Sequence, residues 1–77
     1  MMIREHDRIV LTEDLSEARL EAGDVGTVVH VHVGRRAYEV EFMTLGGISV
    51  AVVTVEACQV RRVGSKEIAH VRELVAV

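Results

Sequence analysis

Two histidines at alternate positions, His30 and His32, are the first residues whose type and spacing suggest chemistry. Alternate residues of a β-strand point to one face, and Glu39 and Glu41 repeat the same spacing shortly afterwards. Imidazole and carboxylate groups on a shared face can hold Zn²⁺ or another divalent cation. The alternatives are ordinary polar pairing on an exposed strand and a pH-sensitive contact. Because no cysteine pair and no third histidine stands at ligand spacing, we predict no metal site, with His30 and His32 as the candidate ligands if one exists.

The nucleophiles of the chain lack the neighbours that catalysis requires. Cys58, the single cysteine, has no identifiable partner base, and no serine or threonine stands in a nucleophile-elbow motif. The glycines match no phosphate-binding loop. We therefore predict that the protein is not an enzyme and has no cofactor and no small-molecule substrate. Cys58 is expected to be a small buried hydrophobic residue.

Length and composition predict a small β domain. The 77 residues form at most one domain, and 49% of them are apolar although the chain has one Tyr, one Phe and no Trp. Such a core consists of branched aliphatic side chains, which favour pleated sheet. The net charge of −3 disfavours nucleic acid as a partner, because phosphate binding needs a basic face.

The cysteine count and the distribution of apolar residues indicate the compartment. A single cysteine excludes a disulfide framework and fits a reducing environment. No apolar run approaches the ~18 residues of a membrane span. The N-terminal stretch MMIREHDRIV carries charges where a signal peptide would have its apolar centre. We expect a cytoplasmic protein that does not contact membranes.

The elements that must position these side chains are five strands and a tail. We predict strands over 7–11, 25–33, 37–44, 48–55 and 58–63, and an acidic loop over 12–24. That loop is either extended and pinned by Leu15 and Leu20 or contains one helical turn capped by Ser16. In the tail, Ile68, Val71 and Val75 follow a helical spacing. We therefore predict an all-β domain over 1–63 and a short C-terminal helix within 64–77.

The central hairpin has one apolar and one polar face. Apolar residues of strands two and three alternate with the two histidines and the two glutamates. A two-residue type II′ turn at Gly34-Arg35 keeps all apolar side chains on one side. The predicted register is Val31 opposite Tyr38, His30 opposite Glu39 and Val29 opposite Val40. His30 and Glu39 then form a cross-strand polar pair.

Strand four is apolar on both faces. Ala51, Val53 and Val55 can enter the core, which leaves Ile48, Val50 and Val52 on the other face. An apolar face that stays uncovered on an edge strand promotes association with other protein molecules. Three outcomes are open: the C-terminal helix covers it, a second protein molecule covers it, or it stays exposed.

The order of the motifs resembles a known family. The patterns are D-x-V-x-L (here Asp7, Ile9 and Leu11), G-D-x-G-T-V-V over 23–29 and Y-x-V-E-F over 38–42. Together they resemble a family of small bacterial proteins catalogued as a domain of unknown function, over residues 5–63. Ala18-Arg19 departs from the pattern, and the tail lies outside it. The resemblance implies a five-stranded SH3-like barrel and no assigned activity. GDVGTVVHV is also similar, more distantly, to KOW-type SH3-like domains.

We predict from these features a non-enzymatic domain that binds another protein or itself, of the accessory-subunit or antidote type. Its expected contacts are an apolar group and an acidic rim that selects a basic partner: Ile48, Val50, Val52, Glu13, Asp14 and Glu17. The alternative is KOW-like binding to RNA or ribonucleoprotein through Arg35, Arg36, Arg61 and Arg62. Those arginines equally fit simple pairing with nearby acids.

Overall fold

The structure, a computed structural model, describes residues 2–74 and contains one five-stranded antiparallel sheet. The strands are β1 (Arg8–Leu11), β2 (Val25–Val31), β3 (Ala37–Met43), β4 (Ser49–Glu56) and β5 (Val60–Arg62). They lie in the order β4-β3-β2-β1-β5. Short 3-10 turns at Ser16–Ala18, Val33–Arg35 and Ala57–Gln59 connect them. The predicted all-β class is confirmed.

The core lies on one face of the sheet and consists mainly of branched aliphatic residues. Its fully buried side chains are Ile9, Leu11, Val28, Val40 and Val55. The two aromatic residues, Tyr38 and Phe42, are buried beside them. Glu39 is half-buried and lies on the opposite face of β3. The division into a dry and a wet side, predicted from the alternation, is therefore confirmed.

A bulge in β2 changes the predicted register of the central hairpin. Val31 pairs with Tyr38 and His30 pairs with Glu39, as predicted. Val40, however, lies opposite Val28 rather than Val29, because the register shifts between Val28 and His30. Val29 is the extra residue of a β-bulge, and its side chain is 41% exposed.

The turn of this hairpin also differs from the prediction. Arg35 donates its backbone N–H to His32 at 2.9 Å, and His32 donates to Ala37 at 3.0 Å, which leaves four residues in the loop. Gly34 has φ 84° and ψ −3°, and Arg35 has φ 57°. A type II′ turn has positive φ at its first central residue only, so the predicted turn type is wrong.

The short link between β4 and β5 forces the sheet to curl. The two strands lie at opposite edges, ~19 Å apart in a flat sheet with ~4.8 Å between strands. The four steps from Glu56 to Val60 span at most ~14 Å. The edges must therefore bend toward each other, although β4 and β5 do not pair within residues 2–74.

The acidic loop combines both predicted readings. Leu15 and Leu20 are bridged by backbone hydrogen bonds of 2.9 and 3.1 Å, and Leu20 is buried. One 3-10 turn, Ser16–Ala18, lies between them. Ser16 is not its cap, because the cap position is Leu15 and no side chain bonds there.

Two predictions near the C-terminus are wrong. Cys58 is exposed, because it lies in the Ala57–Gln59 turn and β5 begins only at Val60. Residues 67–74 form no helix; Val75 lies outside the described residues. Ile68 is 93% and Val71 is 68% exposed, so the apolar stripe packs on nothing within residues 2–74. A helix of about 12 residues is marginal without such packing.

Candidate functional site

Strand β4 forms one edge of the sheet, with β3 as its strand neighbour. The segment from Ser49 to Val55 has neither charged residues nor proline. Its inner side chain Val55 is fully buried, whereas Val52 on the other face is 56% exposed. Ile48, which precedes the strand, is 69% exposed. The edge therefore offers both backbone groups and apolar surface.

A second bulge interrupts the apolar face that the sequence predicts for β4. Phe42 pairs with Ala51, but Met43 pairs with Ser49, which leaves Val50 as the extra residue. Val50 is half-buried, so Ile48, Val50 and Val52 do not form a continuous stripe. Exposed Met43, which lies opposite Ser49 and shares its face, adds apolar surface that the sequence reading missed.

Of the acidic side chains predicted as a rim, Glu13 contacts the turn that follows β4. Glu13 Oε1 accepts a hydrogen bond from Gln59 Nε2 at 2.8 Å, and Asp14 Oδ1 accepts the Ala22 N–H at 2.9 Å. Glu17 is exposed in the 3-10 turn. Because Gln59 closely follows β4, Glu13 lies near the C-terminal end of the edge, whereas Ile48 lies at the other end, ~26 Å from Glu56 along the strand.

A polar cluster occupies the outer face of β2, β3 and β4. Glu39 Oε2 accepts hydrogen bonds from Thr54 Oγ1 and His32 Nε2, each at 2.6 Å. The bond from Thr54, then that from His32, holds the pKa of Glu39 below its usual value. His30 stacks edge-on against His32 at 5.3 Å and lies 3.8 Å from Glu5. The predicted His30–Glu39 side-chain pair is therefore replaced by a diagonal contact with His32.

The histidines and glutamates of this polar cluster are residue types that could bind a metal ion together. Within 2–74, no three His, Cys, Asp or Glu side chains are placed to share a metal ion. Glu39 uses one carboxylate oxygen for both His32 and Thr54. The arrangement supports hydrogen bonding of Glu39 with His32 and Thr54.

Three of the four arginines of the RNA alternative are linked through Ile3 and the groove that it lines. Arg35 Nη1 donates to the Ile3 carbonyl at 2.9 Å, and Ile3 lines a shallow groove with residues 60–65. The hairpin tip thus lies near Arg61 and Arg62, although Arg36 is simply exposed. Arg61 forms two hydrogen bonds of 2.7 Å with Glu67, and Arg62 lies 3.7 Å from Asp7.

The tail is fastened to the end of the acidic loop by a contact that sequence reasoning missed. Arg72 forms hydrogen bonds of 2.8 and 2.6 Å with Asp24, and Glu21 lies 3.5 Å away. Burial alone would raise the pKa of Asp24. The bonds from Arg72 and the Glu21 N–H, together with the charge of Arg72, outweigh that effect and lower the pKa. Asp24 and Arg72 are 48 positions apart, and a single sequence contains no pattern that predicts contacts at such a separation.

Comparisons with known proteins identify a family but no characterised relative. No helix among the described residues has the length and apolar character to cross a membrane. No curated protein and no solved structure matches the chain significantly. A family model, described as Domain of unknown function (DUF4926), matches residues 5–62, which span β1 to β5. The chain belongs to this family.

Proposed function

We propose that this protein is a non-enzymatic binding domain that contacts another protein molecule through the β4 edge. The fold we propose is an SH3-like barrel, because the curled five-stranded sheet and the family membership both fit it. A bacterial, cytoplasmic accessory subunit or antidote-type protein fits the proposal, and the lone Cys58 agrees with a reducing compartment. Binding, rather than catalysis, is what the surface chemistry supports.

The observation that carries the proposal is the outer edge of β4, with which no strand within residues 2–74 pairs. Alternate residues of Ser49–Glu56 direct backbone donors and acceptors away from β3, beside exposed Val52, although the Glu56 N–H is bonded to Gln59 Oε1 at 2.7 Å. Sheet edges of this kind pair with added strands, and backbone hydrogen bonds supply the affinity. Exposed Met43 and Ile48 extend the apolar surface at the bulged end.

The acidic loop favours a basic segment at the other end of the edge. Glu56 ends β4, and Glu13 and Glu17 lie on the neighbouring loop. Carboxylates at the rim of a contact influence which partner binds and how fast it associates more than they influence the affinity. A basic partner segment at this end should bind more weakly as salt rises, whereas pairing through the uncharged middle of β4 alone should not.

Site-specific photocrosslinking in cells tests the proposal. p-Benzoylphenylalanine in place of Val52 should give crosslinked adducts, because this position lies in the proposed contact. The same residue in place of Val33, which is fully exposed at the hairpin tip, is the matched control and should give none. Equal adduct yields at both positions, or no adduct at position 52, would contradict binding through β4.

A second candidate function is contact with RNA on the arginine side. The favouring observation is the bond between Arg35 and Ile3, since Ile3 shares its groove with Arg61 and Arg62. Glu67 and Asp7 already neutralise part of this charge. Retention on heparin or mixed RNA that falls steeply with salt, and that is lost in Arg35→Ala/Arg36→Ala, would support it. Flow-through at low salt would exclude it.

A further inference from the structure

We propose that the partner of β4 is a second copy of this chain, paired antiparallel across a two-fold axis at Val52. This inference rests on the proposed use of β4 as the contact edge, and it names the occupant. The result would be a sheet continuous through both copies. Three features of the described residues support a second copy over a different protein.

The first feature is the contrast between the two edges of the sheet. β5 has three residues, Val60–Arg62, and two of them are arginines. Short, charged strands are a usual protection against edge pairing. β4 is longer, and from Ser49 to Val55 it carries neither charge nor proline. Only one of the two edges is therefore left open to pairing.

The second feature is that β4 complements itself. An antiparallel pair centred on Val52 places the two Val52 side chains together on the outer face. Ala51 then lies opposite Val53 of the second copy on the inner face. The one charged residue of the strand, Glu56, falls at opposite ends of the paired segment, ~26 Å from its counterpart. No like charges meet along the seam.

The third feature is the position of the acidic row on β3. Glu41 lies directly opposite Val52. In the paired arrangement the two copies of Glu41 are separated by three strand spacings, ~14 Å, which exceeds the Debye length of ~8 Å at physiological salt. Their repulsion is therefore largely screened. A basic partner strand, by contrast, would find no carboxylate on β4 itself between Ser49 and Val55.

Pairing of two short strands predicts a weak dimer. Stable interfaces bury about 1,200–2,000 Å² in total, and one seam of this length contributes only part of that area. Association should therefore depend on concentration, with dissociation constants in the range of about 10 µM to 1 mM. Because Thr54 of one copy would face Val50 of the other, the bulge at Val50 limits the regular part of the seam to residues 51–53 of each copy.

Sedimentation equilibrium over that concentration range tests the inference. The wild-type mass should rise from 8.5 kDa toward twice that value. Val52→Lys should stay monomeric, because the two lysines would meet at the axis. Val33→Lys, with the same change of charge at the hairpin tip, should dimerise like the wild type. A wild type that stays at 8.5 kDa, or a Val52→Lys chain that dimerises equally, overturns the inference.

A disulfide experiment covers the case in which Val52→Lys does not fold. In a Cys58→Ser background, Val52→Cys should give a covalent dimer on mild oxidation. Directly opposed residues have Cα atoms about 4.5–5.5 Å apart, within disulfide range. Val33→Cys in the same background is the control. Equal yields in both variants overturn the inference. If the wild type is monomeric while position 52 crosslinks to another protein in cells, the inference of a homodimer is wrong, but the proposal that β4 is the contact edge is supported.

Discussion

Arg72 and Asp24, 48 residues apart in the chain, are joined side by side through two hydrogen bonds of 2.8 and 2.6 Å. Arg72 Nη2 also donates to the Arg19 carbonyl at 3.3 Å. A two-pronged arginine–carboxylate contact fixes geometry as well as charge. Since residues 67–74 form no regular structure, this contact and the one between Arg61 and Glu67 set the course of the tail.

Replacing Arg72 should release the tail and leave the sheet intact. We expect Arg72→Leu to lower the NMR order parameters of the backbone amides across 68–74 below about 0.6, the range of flexible backbone, because the contact with Asp24 no longer restrains that segment. The order parameters of β2 and β3 should not change. Lys66→Leu serves as the control for loss of a cation. Unchanged order parameters of the tail in Arg72→Leu would show that other contacts hold it.

The same contact should respond to acid. The pKa of Asp24 is lowered in the folded chain, so its ionised form stabilises the contact above its unfolded pKa. That stabilisation is lost as the pH falls through the lowered value, below the ordinary range near pH 4. The backbone order parameters of the tail should therefore fall in acid. In Asp24→Asn they should already be low at neutral pH. A tail that opens well above pH ~4 would contradict this sign.

Gly26 should not tolerate even one methyl group. A Cβ there would lie 2.5 Å from Val40 Cγ1 and 2.8 Å from Phe42 Cε1, both in the core. We expect Gly26→Ala to lower the free energy of unfolding by about 1–3 kcal/mol, as overpacking does. Gly46→Ala is the control, since its nearest atom is 3.7 Å away, and urea denaturation measures both. Equal stability of the two variants would mean that Val40 and Phe42 can move enough to accommodate the added methyl group.

The hydroxyl of Thr54 should hold the pKa of Glu39 down. The Thr54 hydrogen bond is the largest cause of the lowered pKa, ahead of that from His32. In Thr54→Val, which preserves shape, the pKa of Glu39 should rise toward its usual value. Carboxyl carbon NMR during a pH titration measures it, with the wild type titrated in parallel as the reference. An unchanged Glu39 titration would assign the effect to His32 alone.

Glu67 should titrate far below an ordinary glutamate. The two bonds from Arg61, then the Gly64 N–H, lower its pKa to about 2. Any stability from this contact is lost only as the pH falls through that value. Arg61→Leu should return the Glu67 titration toward the usual range, which the same NMR experiment detects. If RNA binds at this side, adding it should also raise the pKa of Glu67, because phosphate would compete for Arg61.

The alternation of residue types predicted the faces of the central hairpin but not its bulge. Tyr38, Val40 and Phe42 enter the core and Glu39 does not, as a period of two requires. Val28 and Val29 are chemically identical neighbours, so the pattern cannot tell which one is buried. Packing against Val40 decides, and Val28 occupies that place. The apolar run of β4 hides its bulge at Val50 in the same way.

The conformation of the tail and the position of the candidate site depend on tertiary contacts that a single sequence does not predict. Ile68 and Val71 have helical spacing, but the described residues provide no surface for them. The edge position of β4 follows from strand order, which local pattern does not specify. The apolar composition of β4 nevertheless indicated the same strand as the candidate contact.

The pairing of β1 with β5 has a consequence for synthesis in the cell. Leu11 needs Val60 beside it, so the first strand stays without its second neighbour until Val60 has been synthesised. The pairings of β1 with β2, β2 with β3 and β3 with β4 join residues at most 19 positions apart and can form earlier, whereas Leu11 and Val60 are 49 positions apart. Such distant pairings slow folding. During that interval the outer edge of β1 is open on the nascent chain, and neighbouring chains on one messenger would meet through it first.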